Sequence, residues 1–180
     1  MAEGLETDDL PRMATGASST TLVQIVAFAE VLLLGVWLGA MGFFSFAVPQ
    51  SGFSVLPSRQ LVGLLVTSTI TKVEVVGLIL GGLLILIQLG AWSLRGSWRW
   101  IRLALVILMT AAMALSRFWI TPEMVSIRNA MGPMIEEIPA TDPSRMAFNT
   151  LHGYSVGSLM VAMIAGVATL FLTVRSWFKR

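Results

Sequence analysis

Residues 21–48 read TLVQIVAFAEVLLLGVWLGAMGFFSFAV, with Glu30 as the only formal charge and Pro49 directly after them. A run this long exceeds the roughly 20 apolar residues a helix needs to cross a bilayer, and it is too apolar for the surface of a soluble protein. Gly35, Gly39 and Gly42 are closely spaced along it. The expected element is therefore a transmembrane helix carrying a small-residue groove for a neighbour.

The rest of the chain has the same character. Of its 180 residues, 56% are hydrophobic and 12% charged, which excludes an ordinary soluble domain and fits one polytopic membrane domain. The net charge of +2 does not point to nucleic acid, because the basic residues lie at the ends of apolar segments rather than in one patch. The absence of cysteine excludes disulfides, zinc-thiolate sites, iron-sulfur clusters and thiol catalysis. His152 is the only histidine, so no two-histidine motif exists within the chain.

Residues 1–20 are polar, with Glu3, Glu6, Asp8 and Asp9 against Arg12, and read as a cytoplasmic tail rather than a signal peptide. Residues 21–180 then form a four-helix transmembrane domain with spans at about 21–48, 73–92, 98–117 and 146–174. Pro49, Gly52 and Pro57 mark a connector after the first span. Lys72 and Glu74 divide the next apolar run, so residues 58–71 are expected as an amphipathic lead-in and Glu74 near the outer membrane surface. Between the third and fourth spans, Met124, Ile127, Met131, Met134 and Ile138 recur at three- and four-residue spacing, as in a helix lying on the membrane. Asp142 and Pro143 are a helix start. The fold class expected is thus all-α, a four-helix transmembrane bundle with a lead-in to helix 2 and an interfacial helix between helices 3 and 4.

Orientation follows from the basic residues. Arg12, Arg95, Arg99, Arg102, Arg175, Lys179 and Arg180 fall on one side; Arg59, Arg117, Arg128 and Arg145 fall on the other. The first set is the larger, which predicts a multi-pass protein of the cell membrane with both termini cytoplasmic.

The stretch WLGAMGFFSFAVPQSGFSVLPSRQLVG carries a resemblance, through Trp37, Gly39, Phe43, Phe44, Pro49, Phe53 and Leu56, followed by Arg59 and Gly63. Thr121, Pro122, Met124 and Arg128 continue it, as do Phe148, Leu151, His152 and Ser155 in an F-x-x-L-H-x-x-S pattern. In order and spacing these motifs resemble the small four-helix membrane family of unknown function that includes transmembrane protein 205 (DUF4149-type). The resemblance implies the fold and supplies no established activity, only an association of the animal member with resistance to platinum drugs. Glu30, Lys72 and Glu74 depart from the family pattern.

Several residues are candidates for chemistry. His152, about two turns into the fourth helix, could be an axial ligand to a haem or chlorophyll-type tetrapyrrole, or a structural residue that bridges helices. Lys72, Glu74, Arg117, Arg128 and Ser155 belong to the same outer layer. Met124, Met131, Met134 and Met146 share that side, where thioethers beside an imidazole suit a soft metal or simply fill an apolar face. Glu30 lies within the hydrocarbon layer, where a carboxylate costs a few kcal/mol unless protonated or paired. Arg102 is the partner named for it and Gln88 the second. The pairs Gly35/Gly39, Gly77/Gly81 and Gly153/Gly157 read as packing grooves. No phosphate loop, nucleophile elbow or metalloprotease motif is present.

These observations imply a non-enzymatic accessory subunit packed against other integral membrane subunits and lipids, with His152 offering a tetrapyrrole site. Two alternatives of different class stand beside it: a small transporter or resistance factor for a soft metal or lipophilic compound, and a membrane-bound haem-linked oxidoreductase.

Overall fold

The computed structural model of the protein describes residues 10–91, 98–132 and 138–177, with side chains from Thr21 to Ser176 in those ranges. Residues 1–9 of the expected tail 1–20, together with Arg95 and Met134, lie outside the described residues, while its residues 10–20 are helical. The helices are α1 (Leu10–Phe46), α2 (Val48–Val55), α3 (Arg59–Gly90), α4 (Arg99–Leu115), α5 (Thr121–Met131) and α6 (Pro143–Trp177). Among the described residues there is no strand. Thr21–Val55, Arg59–Gly90, Arg99–Met131 and Pro143–Ser176 are each long and apolar enough to cross a membrane, so this is a multi-pass helical membrane protein.

Three further boundaries differ from the sequence expectation. Pro49 does not open a connector. Lacking an N–H, it is tolerated in the first turn of α2, and the chain stays helical around it through Ala47 N donating to Phe43 O and Ser51 N to Ala47 O. The turn is confined to residues 56–58, where the Ser58 hydroxyl caps α3 by accepting from Leu61 N at 3.3 Å. Next, the lead-in and the second span form one unbroken helix, α3. Finally, α5 continues directly from α4 through a π-helical turn at Ser116–Ile120 rather than starting anew. Asp142 caps α6, as its sequence position predicts: Oδ1 accepts from Ser144 N at 2.8 Å and Arg145 N at 3.4 Å.

The four long helices pack in a ring, α1 against α3 and α6, and α4 against the same two. Polarity is arranged inside out. Phe28, Phe43, Ile79, Leu86, Ile164 and Phe171 are exposed, while Glu30, Glu74, Gln88, Arg102, Ser116, Thr169 and Thr173 are buried. Lipid as the solvent explains this, since an apolar exterior then costs nothing and polar groups must be satisfied within the bundle.

At the centre stands Trp37, with no exposed surface, between two glycines from different helices. A Cβ at Gly77 of α3 would meet its Nε1 at 2.7 Å, and one at Gly166 of α6 would meet its Cζ3 at 2.9 Å. Gly81 admits α4 in the same way, because a Cβ there would lie 2.2 Å from Thr110 Oγ1 and 3.1 Å from its Cβ. The other expected grooves are not used among the described residues. Gly35, Gly39, Gly42, Gly153 and Gly157 have no neighbouring atom within 4 Å of an added Cβ. Gly81→Ala is therefore expected to cost about 1–3 kcal/mol through overpacking, and Gly39→Ala less than about 0.5 kcal/mol. Unfolding of the detergent-solubilised protein measures both, and equal losses would contradict this packing.

Candidate functional site

Among the described residues two carboxyl groups are buried in the bundle, and their surroundings differ. Glu30 on α1 is 1% exposed and Arg102 on α4 is 6% exposed, and Arg102 Nη2 donates to Glu30 Oε2 across the bundle. The pair lies on the Trp98 side of the molecule, where the Arg175 guanidinium stands 6.0 Å from the Trp98 ring centre. An arginine is suited to this place because it stays charged and offers a planar fork of donors. Gln88, the second partner named from the sequence, is also buried, and among the described residues neither of its amide atoms has a hydrogen-bond partner.

Glu74 is fully buried in the bundle and pairs with neither Lys72 nor Arg117. Its Oε1 accepts from the Ser116 hydroxyl and, at 2.9 Å, from the Thr121 hydroxyl; among the described residues Oε2 has no partner. The cause lies in which face of α3 it occupies. Ile70, Glu74, Gly77, Gly81, Leu84 and Gln88 are the buried residues of that stretch, at alternating spacings of four and three, whereas Lys72 falls on the exposed side. The π turn supplies the two hydroxyls. In an α-helix residues five apart point roughly 140° away from each other. Here Thr121 N–H bonds to Ser116 O, the i to i+5 pattern that brings both side chains to one face. Arg117 is half-buried, with its Nε unbonded.

At the opposite end from Trp98, a cavity of about 1210 Å³ opens between the α1–α2 junction, the first half of α3, α5 and the first half of α6. Phe44, Val66, Ile70, Leu159 and Met163 form apolar wall; Arg59, Arg128, Arg145, His152 and Ser155 supply polar groups. Among the described residues that line it there is no carboxylate. Arg128 organises the site by tying α5 to its neighbours. Its Nη1 donates to Gly63 O at 2.9 Å and Thr67 Oγ1 at 2.7 Å, and its guanidinium lies 5.2 Å from the Phe148 ring centre. Gly63 leaves room for this, since an added Cβ would stand 3.1 Å from Arg128 Nη2. Arg145 Nη1 donates to Ile138 O and so fixes the entry to α6.

Of the residues singled out in the sequence, Arg128, His152 and Ser155 line this cavity, and Glu74 lies behind its Thr121 wall. Glu30 and Arg102 form a separate cluster, while Lys72 is exposed. Met124 and Met131 line the cavity with Met160 and Met163; Met146 is exposed and does not. Among the described residues no group of three or more His, Cys, Asp or Glu could hold a metal ion. Arg59 and Arg145 were not predicted as site residues. Their signal was available: each stands at or near the start of a long helix, and the two helices start at the same end.

Residues 32–133, more than half of the chain, match the family model described as Domain of unknown function (DUF4149). The match takes in α3, the π turn, Arg59 and Arg128, and stops before α6 and His152. Searches of curated proteins and of solved structures found no match. With its four membrane helices and this match, the chain belongs to the DUF4149 family.

Proposed function

We propose that this protein is a non-enzymatic accessory subunit of a larger assembly in the cell membrane, and that its cavity holds a lipophilic ligand there. The cavity carries the reading. At about 1210 Å³ it exceeds the range of about 300–1,000 Å³ usual for small-molecule sites, and an apolar wall with a few placed polar groups is what such sites share. The open Gly35/Gly39/Gly42 seam supports the subunit role, because bare backbone lets a neighbouring chain's helix approach closely. Both termini face the cytoplasm in this reading, on the strength of the arginine and lysine distribution.

His152 lies on the cavity wall with its side chain accessible, which suits an axial ligand to a tetrapyrrole whose acidic groups would meet the arginines. Visible absorbance of the natively isolated protein tests this. The expected result is a tetrapyrrole band that is shifted or lost in His152→Ala. A colourless preparation ends the tetrapyrrole assignment and moves the question to organic extraction of a colourless lipophile. Isolation as a single free chain with nothing extractable would overturn both parts of the proposal.

A second reading, a carrier or resistance factor for a soft metal or a lipophilic compound, is supported by Met124 and Met131 of α5 and Met160 and Met163 of α6, which line the same cavity as His152. Cells lacking the gene would then show altered copper content or altered tolerance to lipophilic toxicants. Unchanged values for both would remove it.

A further inference from the structure

We infer that the cavity fills sideways from the bilayer, through an opening between α6 and the α1–α2 junction, and that its occupant is the apolar chain of a lipid from the leaflet opposite Trp98. This rests on the reading that the cavity is a ligand site, and adds to it the class of the ligand and its route. The carrying observation is that part of the lining also faces outward. Phe46 and Phe53 on one side and Val156, Met160 and Ile164 on the other line the cavity and are 43–70% exposed, whereas Ile70 and Leu159 in the same cavity are buried. In a bundle whose outside is lipid, apolar residues that belong to both surfaces are the rim of a lateral opening.

The packing explains why the helices part there. Trp37 and Leu38 of α1 press on bare backbone at Gly166, which holds α1 to α6 in the middle of the bundle. Past Phe46, α2 leans on α3 instead, because Gly52 is buried against it; a Cβ there would stand 3.2 Å from Val62 Cγ1 and 3.4 Å from Leu65 Cδ2. The first half of α6 is tied to α5, where the Arg128 guanidinium lies over the Phe148 ring. On α6 the rim is one stripe, Gly153, Gly157, Met160 and Ile164, at spacings of four, three and four. Its two glycines have no neighbouring atom within 4 Å of an added Cβ, so bare backbone widens the opening.

The opening lies at hydrocarbon depth. Arg175 beside Trp98 marks one membrane boundary. Gly166 stands nine residues from Arg175 and ten from Val156, about 14 and about 15 Å at the helical rise, each close to half of a hydrocarbon layer of about 30 Å. The rim from Ile164 to Val156 therefore runs through a single leaflet, from the midplane toward its headgroups. What borders a protein at that depth is acyl or isoprenoid chain, and a cavity of about 1210 Å³ has room to admit one.

Acyl chains carrying a terminal diazirine test this in nanodiscs, with the probe on phosphatidylcholine in one arm and on phosphatidylglycerol in the other, and with the labelled residues of the full chain mapped by mass spectrometry. Chains that only surround the bundle reach Phe43, Ile79 and Leu86, which are exposed and do not line the cavity. The expected result is label on Ile70 and Leu159 as well, in either arm. The chain has no cysteine of its own, so Met160→Cys can be blocked after folding with a bulky maleimide. That block should remove most of the label on Ile70 and Leu159 and leave the label on Leu86 unchanged, and the same reagent at Ile79→Cys should change neither. Interior label that survives the block at Met160 would overturn the sideways route. Label confined to the outside, in a chain that still yields a lipophile on extraction from its native membrane, would overturn the lipid chain and leave the cavity as a ligand site. Label confined to the outside with nothing extractable would overturn both.

Discussion

Arg102→Leu is expected to destabilise the protein by about 3–5 kcal/mol, because it leaves the Glu30 carboxylate buried without its cation. That is the loss typical of removing one partner of a buried pair, and the membrane interior offers no water to replace it. Removing both charges has a different consequence. In Glu30→Leu/Arg102→Met no charge remains to desolvate, so most of the stability should return, and Glu30→Gln alone should cost less than Arg102→Leu. Chemical unfolding in mixed micelles measures the series. A double variant as unstable as Arg102→Leu would mean that the pair serves packing rather than charge neutralisation.

Trp37→Ala is expected to cost about 3–5 kcal/mol, the range for deleting a buried aromatic side chain. Within lipid the loss comes from contacts and an unfilled void rather than from hydrophobic transfer, since the helices are already out of water. The indole is the spacer that fixes the distances from α1 to α3 and to α6, because its ring takes the room that a Cβ at Gly77 or Gly166 would need. Gly166→Leu should therefore mimic the tryptophan deletion, by expelling the ring instead of removing it. If Trp37→Ala unfolds with the midpoint of the unmodified protein, the indole does not occupy the centre of the bundle.

The legible part of this protein is its one-dimensional part. Four apolar stretches, the glycines of α3 and the start of α6 at Asp142 follow from spacing and local chemistry, since membrane insertion and helix capping are both set by neighbours in sequence. Arg102 could be named for Glu30 because two charges stranded in apolar segments at similar depth have few alternatives. Glu74 shows where this reasoning stops. Counting residues along the second span gives a height along the helix, but burial depends on which face Glu74 occupies, and that face is fixed by helices distant in the sequence.

The π turn has no sequence signature of its own, so the meeting of Ser116 and Thr121 on one carboxylate oxygen was invisible beforehand. Pro49 was read as a break because a proline so often ends a helix, although it is equally at home in the first turn of one. The cavity was only half legible. His152, Ser155 and Arg128 stood out as polar residues near one end, yet their lining one cavity with Arg59 and Arg145 depends on long-range contacts, such as that of Arg128 with Gly63.

The most direct measurement is the intact mass of the protein released gently from its native membrane, beside that of Ser155→Trp, which puts an indole into the cavity wall. The account predicts one bound organic molecule per chain in the unmodified protein and a bare chain in the variant, both folded to the same helical content. A bare chain in both, or the same bound mass in both, would contradict it.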